Sequence, residues 1–257
     1  TPIIPLPIVS NKTVIYNMST LHSQLSKRGW YPHDSHALKD DIEDYFSQYK
    51  SQSTERPSAI VVPHAGFRYS GQTAAAAFYH CQGHEYDNIF IIGPSHYYPL
   101  QNSASLPNAD AYQTPLGEVE INRSIVSDFL HHPSCTSIDD IHAEEHSVQI
   151  ELPFIQYSCP NSKVVPMVIG KCDQITIHEL SKLIKPHLTK ESLIVISSDF
   201  THYGQEFGYT PFDSQVAANI KALDIKACRH ITSGKKESFK TFIDETPTTI
   251  CGRDAIK

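Results

Sequence analysis

The sequence predicts an α/β fold with a mainly parallel central sheet and helices on both faces. Three observations carry the prediction. Short, continuous, largely β-branched runs at residues 59–62, 89–92, 164–169 and 193–196 read as strands buried on both faces. Segments of helical period lie between them, and alternation of strands with helices builds a parallel sheet. Three of the runs also end in polar clusters that carry histidine: Pro63-His64-Ala65-Gly66, Gly93-Pro94-Ser95-His96, and Ser197-Ser198-Asp199-Phe200-Thr201-His202. Buried strands deliver such side chains to the carboxyl edge of the sheet, where open α/β folds keep their ligand sites.

Taken in order, residues 1–28 form an expected N-terminal arm. Its start, Thr1-Pro2-Ile3-Ile4-Pro5-Leu6-Pro7, is apolar but broken by proline, and without a basic n-region it makes a poor signal peptide. A single domain is expected over 29–257. Ser35 followed by Leu38, Ile42, Tyr45 and Phe46 predicts a helix capped by the serine. Strand 58–62 leads into loop 63–71, and the small side chains Ala74 to Ala77 predict a closely packed helix over 73–79. Strand 88–92 and loop 93–100 follow. Pro107 and Thr114-Pro115-Leu116-Gly117 break up 104–121, which reads as a β-excursion with a turn. Residues 124–129 read as helix. Val148, Ile150, Leu152 and Phe154 alternate, yet the Glu and Gln content of 144–154 favours one helix halted at Pro153. Helices are also expected over 175–188, 214–228 and 236–243.

At 257 residues the chain is long enough for one large domain, and no Gly/Ser-rich or Pro-rich linker divides it. A net charge of −7 without a basic block argues against nucleic acid as a partner. No apolar stretch reaches the roughly 18 residues of a spanning helix. Six cysteines without a C-x-x-C pair read as reduced thiols, hence a cytoplasmic protein.

The chemistry rests on the histidines. His64, His96 and His202 stand at equivalent strand ends, and histidine is both the commonest metal ligand and the usual proton carrier near neutral pH. One shared site accounts for all three. Asp199 and His202 are three residues apart, which places them on one side of a turn. His142-Ala143-Glu144-Glu145-His146 has the H-x-x-E-H spacing of a zinc peptidase. Pro153 and the lack of a downstream glutamate ligand argue against that reading. His142 is therefore expected in a loop or in solvent, with His146 alone lining the cleft. In Thr249-Ile250-Cys251-Gly252-Arg253 the thiolate is a soft ligand, and Arg253 is placed to lower its pKa or bind an anion.

The ordered motifs P-H-A-G-F-x-Y-S-G, G-P-S-H, T-P-L-G, E-H-S-x-x-x-x-L-P-F, S-S-D-F-x-H-Y-G and I-C-G-R resemble the Memo family, from about Gly29 to Arg253. The resemblance implies a fold similar to that of class III extradiol dioxygenases. It implies a metal site of His64, His96 and Cys251, with Asp199 and His202 in the acid/base positions. A cysteine where the dioxygenases have a glutamate points away from ring cleavage. The family pattern also implies a further helix and strands after I-C-G-R. Two histidines with a carboxylate suit non-haem iron, and two with a thiolate suit copper or zinc. The expectation is a redox-linked iron or copper protein that acts on a small molecule or dioxygen, with Asp199 orienting His202. The alternative is a signalling adaptor in which Arg68 and Arg253 read a phosphotyrosine-type or other anionic peptide.

Overall fold

The computed structural model describes residues 19–50 and 55–257. The expected arm therefore falls mostly outside the described residues. Its end supplies strand β1 (Thr20–His22), followed by α1 (Ser35–Ser47), β2 (Ala59–Val62), a π-helical turn (Phe67–Gly71) and α2 (Gln72–Tyr79). Next come β3 (Asn88–Pro94), β4 (Ala104–Ser105), β5 (Ala111–Thr114), β6 (Gly117–Glu120), α3 (Arg123–Leu130) and β7 (Cys135–Thr136). Three short helices follow: α4 (Asp139–Glu144), α5 (His146–Gln149) and α6 (Leu152–Ser158). The remainder is β8 (Lys163–Ile169), α7 (Gln174–Ile184), β9 (Ser192–Ser197), α8 (Val216–Thr232), α9 (Lys236–Glu245) and α10 (Arg253–Ile256).

The fold is mixed α/β with two sheets. The larger has the order β2-β9-β3-β8-β4-β7. Its four long strands, β2, β9, β3 and β8, are mutually parallel, and β4 runs antiparallel to β8. Ile89 to Ile92 and Val164, Val165, Met167, Val168 and Ile169 are all buried, so consecutive side chains on β3 and β8 are covered whichever face they point to. That is why these strands read as unbroken apolar runs. The smaller sheet, β1-β5-β6, contains the excursion; β5 and β6 pair antiparallel around Thr114 to Gly117.

The insertion of β9 between β2 and β3 fixes the site. Three adjacent parallel strands end at one edge, and the backbone N–H of Ser198 donates to the Val62 carbonyl at 2.7 Å to hold two of those ends together. Close approach from the next layer depends on glycine. A Cβ on Gly93 would lie 2.5 Å from Ser147 Oγ, so its absence lets α5 rest against the end of β3.

Two local expectations are corrected. Asp34 caps α1, with Oδ1 accepting from Ala37 N at 2.9 Å, while Ser35 is already helical. Residues 144–154 are not one helix halted at Pro153. The chain breaks at Glu145, whose φ/ψ of −72°/119° is extended, and Pro153 sits in the first turn of α6. Proline is favoured there because its missing N–H has no helical partner to lose.

Candidate metal centre

His64 directly follows the strand exit of β2 and is 1% exposed. Its backbone N donates to Asp199 Oδ1 at 2.8 Å, its Nδ1 lies 2.8 Å from Ser197 Oγ, and its Nε2 lies 3.2 Å from Cys251 Sγ. His96 follows β3 and keeps an open edge, with 28% of its side chain exposed. Cys251 lies in the turn before α10. That turn is tied to β9 by Gly252 N donating to Ser198 Oγ at 3.0 Å and Cys251 N to the Asp199 carbonyl at 3.4 Å. A Cβ on Gly252 would meet Ser198 Cβ at 2.5 Å and the Ser197 carbonyl oxygen at 2.9 Å, so the turn reaches this depth only with glycine.

One ligand atom from each of His64, His96 and Cys251 lies within 4.8 Å of the others. Around a tetrahedral ion with ordinary metal–nitrogen and metal–sulfur bonds, such atoms stand about 3.5 Å apart. The spacing and the nitrogen–sulfur donor set are those of a group that could hold a metal ion.

Glu145 holds His96 with both carboxylate oxygens. Oε2 accepts from the His96 backbone N at 2.6 Å and Oε1 from Nδ1 at 2.9 Å. Burial works against the charged form of His96, but hydrogen bonds to Cys251 and Glu145 outweigh it and raise its pKa to about 9. Burial likewise opposes the Glu145 carboxylate, and its bonds to His96 reverse the sign and lower its pKa. Burial, reinforced by His96, holds His64 down at about 3, as a neutral imidazole with a lone pair to offer. His146 is lowered by the same two causes.

The break at Glu145 also splits the H-x-x-E-H segment, which corrects the expectation for His142. That residue is neither in a loop nor in solvent; it lies in α4 and is 1% exposed. Its Nδ1 is 3.0 Å from Tyr112 Oη. His146 begins α5 and turns the other way, with ring centroids 4.4 Å from His96 and 5.2 Å from His64. His96, Glu145 and His146 form a second group of close ligand atoms that shares His96.

Asp199 and His202 lie just past the end of β9. Asp199 Oδ1 accepts from His64 N. His202 is held by backbone and Thr249: Nδ1 lies 3.0 Å from the carbonyls of both Phe200 and Thr249, and its N donates to Thr249 Oγ1 at 2.7 Å. Both carbonyls accept, so Nδ1 carries the proton and Nε2 is the acceptor. The two arginines are not brought together. Arg68 lines a cavity of about 650 Å³ with Trp30, Tyr31, Asp41 and Tyr45. Arg253 lines another, of about 340 Å³, with Lys171, Thr249 and Cys251. Among the described residues no helix is long and apolar enough to cross a membrane.

Sequence reasoning missed Glu145 and Ser197 as parts of the site. The signal for Glu145 was an acid directly before His146 with a small serine after it.

The sequence of the whole domain has relatives. A family model described as Memo-like protein matches residues 28–257. Protein MEMO1 of Homo sapiens is 32% identical over 240 residues, covering 88% of this chain and 79% of its own length. The Danio rerio protein of that name gives the same figures. MEMO1 family protein TV1383 of Thermoplasma volcanium is 30% identical over 229 residues, 88% of this chain and 80% of its own. With a match that runs through every strand end and turn of the centre, from His64 to Cys251, the chain belongs to the Memo family.

Proposed function

We propose that this protein binds a redox-active transition metal at His64, His96 and Cys251, copper before iron, with zinc as the redox-silent competitor. The observation that carries the reading is the convergence of two imidazoles and a thiol within 4.8 Å at the carboxyl edge of the sheet. An iron site of the two-histidine type needs a carboxylate with a free oxygen face. Both Glu145 oxygens are engaged with His96, and Asp199, one oxygen of which accepts from the His64 backbone, is not among the close ligand atoms around Cys251. That supports thiolate ligation, and with it copper or zinc before iron.

The metal supplies Lewis acidity and electron transfer when bound. The chain's own residues do the rest. Trp30 and Tyr97 pack against the His146 ring, with centroids at 4.6 and 5.6 Å, and shield that flank from water. His202, fixed by two carbonyls, presents Nε2 to exchange a proton with a small molecule or dioxygen in the cleft. The likeness in fold to class III extradiol dioxygenases is part of the same reading, without ring opening as the activity. The six free cysteines support a reducing, cytoplasmic compartment.

The test is elemental analysis after anaerobic purification. About one copper or iron per chain is expected, lost in both His64→Ala and Cys251→Ser. No transition metal above background, or full retention in both variants, would overturn the proposal.

A further inference from the structure

Glu151 is a carboxyl group with no access to solvent, and nothing in the function described above uses it. It is 0% exposed, and its Oε2 has no hydrogen-bond partner among the described residues. Its Oε1 accepts from Ser197 Oγ at 3.1 Å. Ser197, the last residue of β9, is also 0% exposed, and the same Oγ lies 2.8 Å from His64 Nδ1. The far side of that ring, Nε2, faces Cys251 Sγ at 3.2 Å. Three buried groups, Glu151, Ser197 and His64, therefore form one line that ends on the half-buried Cys251 at the candidate metal centre.

Proton counting along the line gives it a direction. A serine hydroxyl has one proton and can still accept through its lone pairs. Ser197 Oγ is the donor to Glu151 Oε1, so that oxygen accepts, either as a carboxylate or with the carboxyl proton on Oε2; a proton on Oε1 would reverse the line, and the His64 tautomer tells the two apart. Ser197 therefore spends its only proton on Glu151 and has none for the imidazole. Nδ1 must then be the N–H that donates to Ser197 Oγ, and Nε2 is left as a bare lone pair directed at the centre. Without the carboxyl, Ser197 is free to donate to Nδ1, and the proton moves to Nε2, where it blocks ligation.

We propose that Glu151, acting through Ser197, fixes the tautomer of His64 and so makes it a ligand through Nε2. Glu151 and Ser197 are positioning residues. The proposal rests on the metal-binding reading only for its consequence; the tautomer itself is a property of the metal-free chain. Burial raises the Glu151 carboxyl well above the usual carboxylate range, which matches a group kept for hydrogen bonding instead of for its charge. Outer partners that fix the imidazole tautomer commonly account for about 10- to 100-fold in metal affinity.

The experiment uses ¹⁵N-histidine protein stripped with chelator, with long-range ¹H–¹⁵N spectra assigned to His64 by loss of its signals in His64→Asn. In the wild type, His64 is expected as the Nδ1–H tautomer, with a pyridine-type shift at Nε2. In Glu151→Leu the Nε2–H form should become the major one, and zinc affinity should fall about 10- to 100-fold. An Nε2–H tautomer in the wild type would overturn the proposal, and that measurement needs no variant to fold. An unchanged tautomer in a folded Glu151→Leu would overturn it equally. A wild type that shows the Nδ1–H form but takes up no metal would sink the metal-binding reading and leave this one standing.

Discussion

Replacing Glu145 with glutamine should weaken the metal-free fold in a manner that depends on pH. The carboxylate takes hydrogen bonds from His96 N, His96 Nδ1 and Ser147 N, at 2.6, 2.9 and 3.2 Å. The amide keeps the shape and one acceptor but loses the charge. The His96 pKa stands at about 9 in the fold against an ordinary 6.5. If all of that difference came from Glu145 it would represent about 3 kcal/mol. The open edge of the His96 ring screens the pair, and Cys251 carries part of the effect, so a loss of about 1–2 kcal/mol is expected. A histidine with a raised folded pKa contributes fully below about pH 6.5 and loses the contribution as pH rises through about 9. The penalty of Glu145→Gln should thus be largest near pH 6 and fall by about that 1–2 kcal/mol by pH 10, where only the loss of an acceptor for the backbone N–H groups remains. Urea unfolding of both proteins in chelator, at steps from pH 6 to 10, measures it. A penalty that is flat over that range, or below about 0.5 kcal/mol at pH 6, would refute the ion-pair argument.

Cys251→Ser should lose most bound metal while its melting temperature without metal stays within a few degrees of wild type; Cys172→Ser should change neither, as metal analysis and thermal scans of both will tell. Gly252→Ala should push the Cys251 turn off β9, costing about 1–3 kcal/mol and most of the metal; a variant that is as stable and as metal-loaded as wild type would contradict the close contact. Burial holds His142 down at about 4, so it stays neutral in the fold while the unfolded chain charges below about 6.5. Its contribution is complete above pH 6.5 and is lost as pH falls through 4. The stability of His142→Leu relative to wild type should accordingly shift by up to about 3 kcal/mol in the variant's favour between pH 7 and 4, read by urea unfolding.

Much of the architecture was legible because buried parallel strands leave a plain trace. Residues 89–92 and 193–196 are apolar whichever way they point, and their ends carry the polar groups that meet at the sheet edge. The turn at 114–117 was readable from proline and glycine in the same way. What was not legible lay where a single residue breaks the local period. Nothing in the composition of 144–154 shows that Glu145 ends one helix and begins the next, yet its side chain also accepts from Ser147 N as a cap. That break sends His142 into the core beside Tyr112 and His146 against His64 and His96, although the two histidines sit at the spacing of one helical face. The Ser35 cap was misplaced by one residue because Asp34 and Ser35 are both good caps, and only backbone geometry separates them. The buried line through Glu151 was out of reach, since it joins residues 46 and 133 positions apart.

Cys251 lies 187 residues beyond His64 in the chain. During synthesis both histidines leave the ribosome long before Cys251 does, so a nascent chain can hold the two imidazoles without the thiol that faces them. A nascent or clipped chain without Cys251 would display a weaker, differently selective pair of donors at an edge that is otherwise built. Contacts of this span close late, because the entropy of the loop must be overcome before they form. If all three residues ligate a metal, ligation would report that the whole domain has folded, and the bond would act as a clasp across almost the full length of the domain.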